Sequence, residues 1–172
     1  ENDTVTITGN GALEESERGS LDASGNMRVL SIKQLLPGSI HARAKKIIFS
    51  EGITTLGMYS MSNMPVLEEI YFPSTMRLLR AYSFMKCPNL KTIHSDSYDL
   101  TVYSSCFGEC DNIEDFNNLF RHVKTIEGNP YSECSNFKKL IIPSNVKRIK
   151  KFYPAPETLS EIIIEDNPSL QV

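Results

Sequence analysis

Apolar residues return along this chain at intervals too irregular for one helix and too wide for one strand. Residues 68–90, EEIYFPSTMRLLRAYSFMKCPNL, show the pattern most fully. Ile70 and Phe72 alternate with outward neighbours, which suits the inner face of a short strand. Pro73 ends that strand because it has no amide to donate to a ladder. Met76, Leu79, Phe84, Cys87 and Leu90 then recur every three to five residues. No single helix or strand puts all of them on one face. A chain that turns corners around a narrow apolar axis does.

The same outline repeats. Residues 45–67 place Ile47, Phe49, Ile53, Leu56, Met61, Met64 and Leu67 on equivalent positions. Residues 91–113 supply Ile93, Val102, Phe107, Cys110 and Ile113. Residues 114–137 need one extra residue and supply Phe116, Ile126, Tyr131, Cys134 and Phe137. Residues 138–159 are one short and supply Leu140, Ile142, Pro143, Val146, Ile149, Phe152 and Leu159. A partial coil, 160–172, begins with a strand over 162–164. One coil cannot bury its apolar face alone, so each rests on its neighbours. Parallel pairing of the strands that start at Ile47, Ile70, Ile93, Phe116, Leu140 and Ile162 is expected, with little helix.

Residues 1–44 are expected to cap the first coil, which would otherwise leave an apolar end and an open edge. Within them, 5–8 reads as a strand turned by Gly9-Asn10-Gly11, because Asn-Gly tolerates positive φ and favours hairpins. Residues 14–26 are polar and turn-rich, suited to an exposed loop or a loose hairpin end. A short helix ending at Leu35-Leu36 fits the Pro37-Gly38 that follows. The C-terminus shows no cap, which predicts either a truncated chain or a last strand covered by a neighbour.

The form I-x-[IF]-P-x-x-[VM]-x-x-[IL]-x-x-x-[AS]-[FM]-x-x-C-x-x-L resembles the BspA-like leucine-rich repeats of bacterial surface proteins. Residues 68–90 carry it through Ile70, Phe72, Pro73, Met76, Leu79, Ser83, Phe84, Cys87 and Leu90. The resemblance covers roughly 45–164 and reaches the N-terminus through VTITGNGAL (5–13). The family's common Gly occurs once, at Gly57. Ser95 and Asn118 replace apolar strand residues, and the fifth coil has no Cys. The period also falls in the leucine-rich-repeat range. The resemblance implies a β-rich α/β fold: a right-handed solenoid of about five coils of 22–24 residues, with a parallel sheet on its concave face and an N-terminal β cap. It implies a cell-surface or secreted bacterial protein, its export signal removed, that binds a protein or surface glycan. It implies no reaction and no cofactor.

Composition narrows the partners. The 172 residues are 40% apolar and 23% charged, ordinary for one soluble domain. A net charge of −3 leaves no general basic excess for nucleic acid. No apolar run approaches the roughly 18 residues that a membrane span needs. Cys87, Cys110 and Cys134 lie one repeat apart and should stack inside as small hydrophobes; their parallel Cβ directions disfavour a bridge. Cys106 sits off that column, and Cys106-x3-Cys110 lacks a second ligand pair for zinc. Asp111, Glu114 and Asp115 lack the spacing and Gly of a calcium loop. His94-Ser95-Asp96 has triad residue types, but adjacent strand residues point to opposite faces. No phosphate-cradling Gly motif is present.

Candidate binding residues are therefore the outward ones of the strands: Tyr71, His94, Asn117, Ile141 and Ile163. Tyr and His offer contact area at small rotamer entropy. Exposed isoleucines suggest cover by a partner. The alternative is that these residues only satisfy strand propensity on a structural spacer. Lys138-Lys139, Lys147-Arg148 and Lys150-Lys151 make the fifth coil basic, opposite an acidic 109–115.

Overall fold

The computed structural model describes residues 3–13, 20–21, 27–28, 36, 38–153 and 159–172. Successive windings stack so that equivalent strands pair in parallel. The first sheet orders β1 (Thr4–Ile7), β5 (Lys46–Phe49), β7 (Glu69–Phe72) and β9 (Thr92–Ser95) side by side. Its register puts Ile47 beside Ile70 and Ile70 beside Ile93. In β5 and β7 buried and half-buried residues alternate, the mark of a sheet with one face on the core.

A second sheet covers another side of the core. Its order is β2 (Gly11–Leu13), β6 (Ile53–Leu56), β8 (Leu78–Leu79), β10 (Leu100–Tyr103), β11 (Val123–Glu127) and β13 (Arg148–Lys150). Between β5 and β6 the chain turns at Gly52, whose φ is +98°. A Cβ there would overlap the Asn10 side chain and come within 2.9 Å of the Gly9 carbonyl, so the corner takes no larger residue.

A third side has no strands among the described residues, yet it is stitched by backbone bonds. Met61 N donates to Ser83 O at 2.7 Å, Phe84 N to Cys106 O at 2.8 Å, and Phe107 N to Pro130 O at 2.8 Å. The turns reach this alignment through left-handed residues one repeat apart: Tyr59, Tyr82 and Ser105 in one row, and Asn63, Lys86 and Glu109 in another. Asparagine amides add a further ladder, each donating to the preceding coil: Asn89 to Pro65 O, Asn112 to Pro88 O, Asn136 to Asp111 O.

The axis between these sides is mainly apolar. Phe49, Phe72 and Ile142, from separate rungs, all line it. Phe84 packs edge-on against Phe49 and Phe72 and stacks on Phe107 at 5.4 Å, continuing to Tyr131 at 5.8 Å. Burying each such side chain contributes about 1.5–3 kcal/mol. Cys87, Cys110 and Cys134 are buried and free, and each thiol donates to the preceding coil: Met61 O, Phe84 O and Phe107 O at 3.1–3.3 Å. Cys106 is buried as well, 3.0 Å from Ser83 Oγ.

Three expectations change. Gly9-Asn10-Gly11 does not make a hairpin: β1 pairs with β5 and β2 with β6, each in parallel, so the turn is a corner between two sheets. The row of six strands is not continuous. No strand starts at Phe116; the chain there forms a 3-10 turn at Leu119–His122, and the first sheet stops at β9. A separate pair, β12 (Lys139–Ile142) with β14 (Glu161–Ile164), resumes the row. Finally, β14 has all four residues exposed, Ile162 and Ile164 at 49% and 56%.

Near the N-terminus, β3 (Ser20–Leu21) and β4 (Met27–Arg28) pair antiparallel. The rest of the loop expected over 14–26 lies outside the described residues, as does nearly all of the helix expected before Pro37. The described helix, Gly38–His41, begins after that proline.

Candidate binding face

Strand register sets the outward residues of the first sheet in two rows. One holds Thr6, Ile48, Tyr71 and His94; the other holds Thr4, Lys46, Glu69 and Thr92. The inward residues between them, Ile47, Ile70 and Ile93, are locked in the core, so the face is carried on a rigid base.

Four side chains on this face interact as a group. The Tyr71 ring stacks on His94 with centroids 4.1 Å apart and planes 17° from parallel. Lys46 Nζ lies 4.2 Å from the Tyr71 centroid, a cation–π distance. Tyr71 Oη donates to Glu69 Oε2 at 3.0 Å, and Lys46 reaches the same oxygen at 3.3 Å. The Tyr71 side chain, with Glu69, holds Lys46 above its ordinary pKa. The Tyr71 hydroxyl, with Lys46, holds Glu69 below the usual carboxylate range. Both therefore stay charged at neutral pH. The result is a half-buried aromatic pair bordered by one cation and one anion. It offers ring edges, a hydrogen-bonding imidazole and a charge of each sign.

Sequence reasoning found Tyr71 and His94 but not Lys46 and Glu69. Their signal was present: both precede an inward Ile by one residue, and so face outward with period two.

Asn117 is placed differently from expectation. It sits in the interrupted fourth coil rather than on a strand, and its side chain acts on the sheet itself. Asn117 Nδ2 donates to Lys139 O at 3.2 Å, and Asn117 Oδ1 accepts from Ile141 N at 2.7 Å. Its neighbour Asn118 donates through Nδ2 to Ile93 O at 3.0 Å. Two side-chain amides thus splice β9 and β12 across the missing strand. The local cause is Asp115, whose Oδ1 takes the Asn117 N–H and bends the chain out of extension. Ile141 and Ile163 lie side by side beyond this splice, half-buried and 37% exposed respectively. They are thus separated from Tyr71 and His94 by the gap.

Other chemistry-bearing residues have structural partners. His41 Nε2 lies 3.0 Å from Ser62 O, and His122 Nδ1 lies 2.8 Å from Ser97 O. Asp111 Oδ1 accepts from Ser135 N and Ser135 Oγ at 2.6 and 2.8 Å, so that carboxylate pins one coil to the next. Among the described residues no group of three His, Cys, Asp or Glu side chains is placed to hold a metal.

Comparison with known proteins bears on the repeat fold. The model of the BspA type leucine-rich repeat region matches six copies over residues 41–158. A leucine-rich cell surface protein from Faecalibacterium prausnitzii A2-165, known as a crystal structure, superimposes with a TM-score of 0.57 at 17% identity. That alignment covers 75% of this chain and 34% of the other, so the chain spans about a third of its neighbour's length. At that identity the likeness speaks for the fold. No curated protein matches the chain in sequence. With its repeats matched over most of its length and its windings stacked as those repeats require, this chain belongs to the BspA-type leucine-rich-repeat family.

Proposed function

We propose that the chain is a non-enzymatic binding module of a bacterial cell-surface or secreted protein, which takes a protein or surface-glycan partner on the outward face of its first sheet. The observation that carries this reading is the Tyr71–His94 stack with Lys46 and Glu69 beside it. As a cross-strand pair the stack also steadies the sheet, but it stands beside a cation and an anion that leave a mixed polar and aromatic surface. Aromatic residues with a polar tip are the residue types that anchor interfaces at low entropy cost. The family and its cell-surface neighbour support the location.

The test is a binding screen of the chain against a panel of purified extracellular glycoproteins and a glycan array, run beside a Tyr71→Ala/His94→Ala variant. A ligand whose affinity falls at least about tenfold in the variant supports the reading. Ligands bound with unchanged affinity refute the assignment of this face.

A spacer role is the second reading, favoured by Asn117 and Asn118. The middle of the expected contact row is committed to holding the solenoid together. A panel that yields no ligand at all would favour it.

A further inference from the structure

A second surface, on the other sheet, gathers cations whose side chains are not paired with carboxylates. The solenoid habitually pairs a lysine on one coil with a carboxylate on the next. Lys91 meets Glu68 at 3.4 Å, Lys139 meets Glu161 at 3.1 Å, and Lys150 meets Glu127 at 2.9 Å. The habit breaks at the N-terminal ends of β11 and β13. There a groove of about 440 Å³ is lined by Asp99, Lys124, Thr125, Lys147, Arg148, Ser169 and Gln171.

Its cations have neutral partners or none. Lys147 Nζ donates to Ser169 Oγ at 2.9 Å. Arg148 donates through Nε and Nη2 to Gln171 Oε1 at 3.3 and 3.1 Å. Lys124 has no side-chain partner among the described residues. Asp99 is the single carboxylate in the lining, against three cations. The chain as a whole carries −3, so this is a local field rather than a general one.

The backbone fixes the spacing. Lys147 N donates to Lys124 O at 2.8 Å, Arg148 is in register with Thr125, and Gln171 N donates to Lys147 O at 2.9 Å. Lys124 and Lys147 therefore stand on adjacent rungs, about 4.8 Å apart at the backbone. The guanidinium has five N–H donors, so the two used on Gln171 leave others free for a planar or tetrahedral anion. Neutral Thr125, Ser169 and Gln171 between the charges suit a hydroxyl-rich chain. No aromatic side chain lines the groove to stack a base, which disfavours single-stranded nucleic acid.

We propose that this groove binds an anionic polysaccharide, with its sulfate or carboxylate groups held by Lys124, Lys147 and Arg148. The site is separate from the first-sheet face and does not depend on it.

The test uses the whole chain and a heparin-derived oligosaccharide as probe, by titration calorimetry at about 50 mM salt. Lys124→Gln is the cleanest variant because it breaks no bond within the fold. Expected are measurable binding, at least about threefold weakening by Lys124→Gln, and tightening by Asp99→Asn. Lys91→Gln removes the same charge elsewhere and should leave affinity within about twofold. Circular dichroism melts confirm that each variant is folded. No binding by the parent chain overturns the proposal. So does equal weakening by Lys91→Gln, which would mean diffuse attraction. Inorganic sulfate is the second arm: if it competes at the same concentration per sulfate group, the groove holds a small anion and the polysaccharide assignment falls.

Discussion

Tyr131→Phe should make this protein more stable. The Tyr131 ring is 1% exposed, at the meeting point of Phe107, Phe116, Phe120 and Phe137, with centroids 5.0–5.8 Å away. Its hydroxyl is buried and has no hydrogen-bond partner among the described residues. An unpaired buried hydroxyl costs about 1–3 kcal/mol in lost hydration. Removing it leaves a void of roughly 10 Å³, worth about 0.2 kcal/mol at the usual cavity coefficient. The net expectation is a gain of about 1–3 kcal/mol, or about 2–12 °C in Tm at about 2–4 °C per kcal/mol for a chain of this size. The same position in the two preceding coils is Phe84 and Phe107, which shows that the site accepts the bare ring. Burial, followed by nearby Cys106, pushes the Tyr131 phenol well above its ordinary pKa. The unfolded chain would titrate near 10, so this group's share of stability is intact below pH 10 and is lost as pH rises. The advantage of the phenylalanine should therefore widen above pH 10. Urea unfolding of both proteins at pH 7 and pH 10.5 measures it. A variant less stable than the parent by 0.5 kcal/mol or more would show that the hydroxyl has a partner, and the reasoning fails.

The buried thiols make a related prediction. Burial pushes Cys134 up to about 12 and Cys106 upward too, while the adjoining Cys87 thiol and then burial raise Cys110. Each loses a proton near 8.5 once unfolded, so stability should be flat below pH 8 and then fall by up to about 1.4 kcal/mol per pH unit for each thiol; a melt that is flat from pH 8 to 10 would contradict the burial. Glu133 is exposed with φ at +63°, so Glu133→Gly should raise stability by about 0.5–1 kcal/mol, read as a shift in urea midpoint, and a loss would deny the left-handed turn. Asn117→Ala should cost about 1–2 kcal/mol, since Lys139 O and Ile141 N lose their partner, and hydrogen exchange at Ile141 should quicken; unchanged exchange would mean that the splice contributes nothing.

Much of the fold was legible because the repeat is written in apolar residues. Ile47, Phe49, Ile70, Phe72, Phe84 and Phe107 recur at a fixed period, and all lie on the axis. The second sheet was harder to see because its strands are short and two of them, β6 and β11, do not alternate cleanly. In Ile53–Leu56 the two buried residues flank two half-buried threonines, a spacing that reads equally well as a turn. The left-handed corners escaped notice for a different reason. Tyr82, Lys86 and Glu109 occupy positions where glycine or asparagine is the usual signal. The break in the fourth coil was marked by Asp115-Phe-Asn-Asn, but Phe116 fitted the strand pattern and masked it. On the candidate face, Tyr71 and His94 could be placed from alternation alone. Their stacking, and the Lys46–Glu69 pair beside them, depend on side-chain geometry that only the register reveals.

The central claim is that the outward face of β5, β7 and β9 is where a partner sits. NMR shift mapping with the ligand recovered from the glycoprotein and glycan panel addresses it directly. The account predicts that the largest changes cluster at Lys46, Glu69, Tyr71 and His94. Changes confined to the strandless turn side, with those four residues silent, would contradict it.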